Sequence, residues 1–177
     1  MPSPNSSSAT SSFSLSGNST IDPLLDDTHV KWGGGLGTGV NLTFSFPWKN
    51  GSSAWWQTDY SPEGEQNATE CFGLSPTQMA APRSALQTWG NVANISFGEV
   101  ADTSSNVGDF RFTFSSVIPT TSWGWIKYPN NYWASAADVW INSKHGGDTD
   151  WYAGTSNFEA LTHEIWHGVG LKRRKYM

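Results

Sequence analysis

Three residues near the end of the sequence could do chemistry together: His163, Glu164 and His167, within Leu161-Thr162-His163-Glu164-Ile165-Trp166-His167-Gly168-Val169-Gly170-Leu171. On a helix, histidines four residues apart project from one face about a turn apart, so both imidazoles can take adjacent corners of a tetrahedral zinc site. A glutamate between them lies beside a water polarised by that metal and can accept its proton. These are the parts needed to hydrolyse a peptide bond without a covalent intermediate, with His163 and His167 as zinc ligands and Glu164 as general base. With four histidines in 177 residues, a chance match to this spacing is improbable. The competing account is two exposed histidines on an amphipathic helix.

The elements that must position these groups have their own signals. Ser156 and Glu159 have the spacing of a capping box, with Ser156 as the N-cap. Phe158, Leu161, Ile165 and Val169 then form one apolar stripe, and at about 100° per residue both histidines point away from it. Upstream, Val40, Leu42, Phe44 and Phe46 alternate with polar residues, which predicts a strand with one buried face, ended by Pro47. The polar stretch containing Trp55 and Trp56 reads as a long surface connection. Ser75-Pro76-Thr77-Gln78 supplies an N-cap, a first-turn proline and a capping-box glutamine ahead of Met79, Leu86, Trp89 and Ala93 on one helical face. Pro82 inside that helix predicts a kink or a later start. Residues 95–100, 110–114, 123–128 and 137–142 read as strands. Strand, helix, further strands, helix is the order of a mixed α/β fold with both helices packed on one sheet.

Composition sets the outer limits. A chain of 177 residues suits one domain with a real core. The net charge of -5, with basic residues clustered only in Lys172-Arg173-Arg174-Lys175, argues against a nucleic-acid partner. Eleven Trp, nine Phe and five Tyr imply a core and a cleft built from aromatic rings. The single cysteine, Cys71, excludes an internal disulfide and a multi-thiolate zinc site, and reads as a free, partly buried thiol. No stretch approaches the length of a membrane span, and the N-terminus lacks the basic region and apolar core of a secretory signal peptide. Residues 1–28 read as a disordered, Ser-rich tail and residues 29–177 as the folded part. The run Trp32-Gly33-Gly34-Gly35-Leu36-Gly37-Thr38-Gly39 fits neither phosphate-loop spacing and precedes a strand, so it reads as a flexible loop. His29 and His145 read as surface and loop residues. Asp148 and Asp150, beside Gly146-Gly147, have the chemistry of calcium ligands, although two carboxylates in a polar loop are more often simply solvated.

From Lys31 onward the sequence resembles the N-terminal part of a serralysin-type catalytic domain, in the metzincin clan of zinc endopeptidases. The resemblance covers roughly residues 30 to 172. It rests on Lys31-Trp32-Gly33-Gly34, on Leu74-Ser75 through Trp89, and on Ile95-Ser96-Phe97. It rests further on Ala137-Asp138-Val139-Trp140-Ile141-Asn142 and on Thr162-His163-Glu164-Ile165 with Gly170-Leu171. It implies a metzincin-like upper lobe: a twisted, mostly parallel five-stranded sheet with a backing helix, an active-site helix and one antiparallel edge strand. By order that edge falls at residues 123–128, and a substrate peptide would lie along it. The resemblance also implies zinc as cofactor, protein or peptide as substrate and an extracellular location, and the chain is expected to be a monomer. Calcium belongs to the family's glycine-rich repeat domain, absent from this sequence together with the export region that domain carries. Gly170 marks the turn after which the family supplies a third histidine. Here that position is Arg173, which cannot donate a lone pair. Trp166 stands where serralysins usually have glycine. The sequence stops at Met177, ahead of the family's methionine turn and lower lobe, and reads as a catalytic domain truncated within its motif.

Three readings remain open on the sequence. The first is a zinc endopeptidase of serralysin type. The second, favoured by Arg173, is a catalytically inactive remnant or a non-enzymatic module that captures peptides on its sheet edge. The third is a two-histidine zinc hydrolase of another clan with a distant glutamate ligand.

Overall fold

The computed structural model describes residues 2–172. Its layering follows from one stretch of sequence, Phe110–Ser115, in which Phe110, Phe112 and Phe114 alternate with Arg111, Thr113 and Ser115 and every side chain is buried. A strand with both faces covered lies at the centre of a sheet that carries a layer on each side.

In chain order, β1 (Thr10–Ser12) and β2 (Val30–Trp32) form a separate antiparallel pair. The main sheet takes β3 (Val40–Ser45), β4 (Cys71–Gly73), β5 (Ile95–Glu99), β6 (Phe110–Ser115), β7 (Gly124–Ile126) and β8 (Val139–Asn142). The helices are α1 (Ala80–Gly90) and α2 (Ser156–Gly168). The strands run in the order β5-β3-β6-β8-β7. Neighbours from β5 to β8 are parallel, and β7 closes the edge antiparallel to β8, with Gly124 opposite Ile141 and Ile126 opposite Val139. The predicted mixed, mostly parallel sheet with an antiparallel edge strand is therefore present. One further strand joins it: β4 pairs with the second half of β6, past the point where β3 leaves after Phe44–Phe110 and Ser45–Arg111.

Both helices pack on one face, where Leu86, Leu161 and Ile165 meet Phe110, Phe112, Phe114, Val139 and Ile141. Gly168 permits the closest approach. A Cβ there would stand 2.5 Å from Ile126 Cδ1 and 2.6 Å from Phe110 Cε1. The opposite face is covered by the connections. Tyr60, Ile118 and Trp140 form a second cluster joined by Trp56 and Trp125, so the connection expected at the surface does expose Trp55 but turns Trp56 inward. The residues before β4 pack because their polar groups find partners, a property that hydrophobic alternation does not register.

The helix starts also differ from the sequence expectation. The Ser75–Gln78 capping box forms reciprocally, Ser75 N to Gln78 Oε1 at 2.8 Å and Gln78 N to Ser75 Oγ at 3.3 Å, yet α1 begins at Ala80. Pro82 then sits in the first turn, where no intrahelical hydrogen bond is lost. Ala93 lies beyond the helix and is exposed; the buried face is Ala81, Pro82, Ala85 and Leu86. For α2 the N-cap is Thr155, one residue before Ser156, and its hydroxyl accepts from Phe158 N.

Within residues 2–28, read from sequence as a tail, β1 pairs with β2 and Ser7 Oγ donates to Asn130 O at 2.9 Å. Among the described residues no helix is long and apolar enough to cross a membrane.

Candidate active site

The helix α2 presents the histidine pair as its periodicity requires. Leu161 and Ile165 are fully buried beneath it, while His163, Glu164 and His167 lie on its half-buried side. The Nε2 atoms of His163 and His167 converge to 3.1 Å. Two nitrogens bound to one zinc at about 2.05 Å with a tetrahedral angle would stand about 3.3 Å apart, so the pair fits that ion with little movement.

The far side of the His167 ring fixes its tautomer. Its Nδ1 lies 2.8 Å from the carbonyl oxygen of Leu171, which can only accept, so Nδ1 carries the proton and Nε2 keeps its lone pair. The Tyr128 hydroxyl lies 3.2 Å from the same nitrogen, with the two rings edge to face. Burial first, then the charges of Asp26, Asp27 and Glu164, raise the pKa of that hydroxyl. It is a neutral group beside the histidine.

A turn at the end of α2 brings the Leu171 carbonyl to this position. Gly170, at φ 101°, adopts the left-handed conformation that favours glycine. Leu171 N donates to Trp166 O and Gly170 N to His167 O, the paired bonds of a Schellman motif. The turn assigned to Gly170 from sequence is thus formed. Arg173, the position of the third ligand in the resemblance, lies outside the described residues. Among the described residues no group of three or more His, Cys, Asp or Glu is placed to hold a metal.

His163, Glu164 and Trp166 line a cleft of about 850 Å³ together with Trp89, Phe158 and Trp123. Gly124, the first residue of the edge strand β7, borders it too. Trp166 packs against both histidines, parallel to His167 and edge-on to His163. It is therefore part of the wall that holds the imidazoles.

Trp123 is held from behind by a polar cluster that sequence reasoning treated as loop. Its Nε1 donates to Asn157 Oδ1 at 2.8 Å, and Asn157 Nδ2 donates to Asp148 Oδ2 and Asp150 Oδ1. Asp148 also pairs with His145 Nδ1 at 2.8 Å, and that bond chiefly lowers its carboxyl pKa. Asp148 and Asp150 are thus tied to the first turn of α2. The Asn157 role had no signal in the sequence because its partners lie in the loop before the helix. His29 is half-buried at φ 53° against the Phe13 ring and stands apart from the cluster.

No family model matches the chain. The chain is similar to Serralysin B of Dickeya chrysanthemi, 30% identical over 156 residues, which is 83% of this chain and 29% of that protein. It is also similar to Serralysin G of the same organism, 26% identical over 148 residues, or 81% of this chain and 29% of that protein. The chain thus spans about three tenths of the length of the curated relatives it matches. Over most of its own length, its relationship is serralysin-like.

Proposed function

We propose that residues 29–177 form part of the catalytic domain of a zinc-dependent endopeptidase of serralysin type, acting on protein or peptide outside the cell. His163 and His167 are its zinc ligands and Glu164 its general base. The observation that carries this reading is the convergence of two imidazole Nε2 atoms to 3.1 Å, one of them on His163 in the wall of an aromatic cleft bordered by a sheet edge. Zinc held there would polarise a scissile carbonyl and lower the pKa of a water molecule. Glu164, as general base, would take up the proton of the attacking water and pass it to the leaving amine. The outer edge of β7 offers main-chain donors and acceptors to an extended substrate, which aligns the peptide across the mouth of the cleft. Trp123, Trp166 and Phe158 form apolar walls against which the side chains flanking the scissile bond can pack.

Arg173 favours a second reading, a peptide-binding module without turnover, because a guanidinium cannot complete the ligand set. Zinc titration of the chain with casein as substrate separates the two. The endopeptidase reading expects zinc binding that His167→Ala abolishes, and casein hydrolysis that Glu164→Gln removes while zinc binding persists. Hydrolysis surviving Glu164→Gln would show that another group is the base. Peptide binding with no cleavage, at saturating zinc and with Arg173→His added, would establish the second reading.

A further inference from the structure

We propose that residues 24–32 are a positioning strap for His167, acting through the main-chain carbonyl of Leu171; its consequence for metal binding rests on the zinc reading above. The last carbonyls of a helix lack intrahelical partners and must find donors elsewhere. At the end of α2 the Schellman turn serves Trp166 O and His167 O, and the strap supplies the donors to Gly168 O and to Gly170 O just beyond the helix. Trp32, 2% exposed, gives its indole Nε1–H to Gly168 O at 2.8 Å. Asp26 N donates to Gly170 O at 3.1 Å. In return Lys172 N donates to Leu24 O at 2.8 Å, and Leu25 bridges Leu171. Asp26 is itself buried, and its Oδ2 accepts from Thr28 N, which shapes the turn that delivers these groups.

Leu171 is therefore gripped on both sides by residues more than a hundred positions earlier, and its carbonyl is the 2.8 Å partner of His167 Nδ1. That hydrogen bond keeps the proton on Nδ1 and the lone pair on Nε2, aimed at His163. Without the strap the carbonyl is free to turn away. The ring is then free to take the Nε2–H tautomer, whose lone pair faces away from His163.

The test reads the tautomer directly in the metal-free full chain. Long-range proton–nitrogen correlation spectra of the histidine rings at a pH of about 8, where imidazole is neutral, should show His167 as Nδ1–H. Trp32→Phe keeps most of the ring volume and removes the bond to Gly168. Lys172→Pro removes the donor to Leu24 without touching the core. Each is expected to move His167 toward Nε2–H and to weaken zinc binding by about tenfold, the lower end for an outer-shell partner. Tyr128→Phe is expected to leave the tautomer unchanged, because the Leu171 carbonyl remains. An Nε2–H proton on His167 in the parent chain would overturn the proposal, as would strap variants that keep both the Nδ1–H signal and the zinc affinity. A tautomer that shifts in the strap variants while even the parent chain takes up no zinc would leave the strap standing and remove the metal reading.

Discussion

A side chain's surroundings decide whether its chemistry is available, and two residues of this chain show opposite outcomes. His167 is presented: a fixed acceptor on one nitrogen leaves the other aimed at His163. Cys71 is withheld. It lies half-buried on β4, and burial, opposed by the charge of Arg111, pushes its thiol up to about 12. A nucleophile or metal ligand must be a thiolate, and a thiol titrating there stays protonated at any physiological pH. Alkylation of the native chain with iodoacetamide at pH 8 is therefore expected to run on the order of a thousandfold slower than that of free cysteine, from the thiolate fraction alone. In urea the rate should rise to the free value. Fast modification of the folded chain would mean that the thiol is far more ionised than its burial allows.

At the level of elements, the position of α2 depends on a contact with no room to spare. Gly168 lies where a Cβ would press on Ile126 of β7 and on the fully buried ring of Phe110. Gly168→Ala forces the helix end away from the sheet or the two side chains out of their rotamers, a change that typically costs about 1–3 kcal/mol. The urea midpoint of this variant should drop accordingly, although alanine is the better helix former. An unchanged midpoint would mean that the helix end gives way freely. This contact also marks how far the sequence could be read. The periodicity of Phe158, Leu161, Ile165 and Val169 was enough to orient the histidines, and the alternation in β3 and β6 was enough to give a sheet with helices on it. A three-residue strand such as β4 carries too few positions to alternate. The shift of the α2 cap from Ser156 to Thr155 turns on which of two adjacent hydroxyls reaches Phe158 N, a choice that composition leaves open. The hydrogen bonds of the strap and of Asn157 were invisible for a further reason: their partners are main-chain groups or loop carboxylates that have no sequence pattern of their own.

For the molecule as a whole, the face of the sheet away from the helices matters because it is buried yet polar. Arg111 pairs with Asp102 through two bonds, Nε to Oδ2 at 2.8 Å and Nη2 to Oδ1 at 2.7 Å, under the rings of Trp56 and Tyr60. That pair is neutral as a unit, so Asp138, also buried, has no cation of its own. It accepts from the Tyr60 hydroxyl at 2.6 Å and from Arg111 N at 3.2 Å. Burial nevertheless prevails over the Arg111 charge and these bonds, and holds the Asp138 carboxyl up at about 8. An unfolded aspartate ionises near 3.9. Between these values the folded chain retains a proton that the unfolded chain has lost, so the contribution of Asp138 to stability is complete below about pH 4. It falls as pH rises toward 8 and levels off above. Asp138→Asn removes this titration while keeping an acceptor for Arg111 N and gaining an amide for the tyrosine oxygen. Urea midpoints of the two chains, compared between pH 5 and pH 8.5, should therefore diverge, with the parent chain losing stability relative to Asp138→Asn as pH rises. Groups common to both chains cancel in that difference. Parallel curves would mean that Asp138 is ionised in the fold, and that Arg111 serves both carboxylates at once.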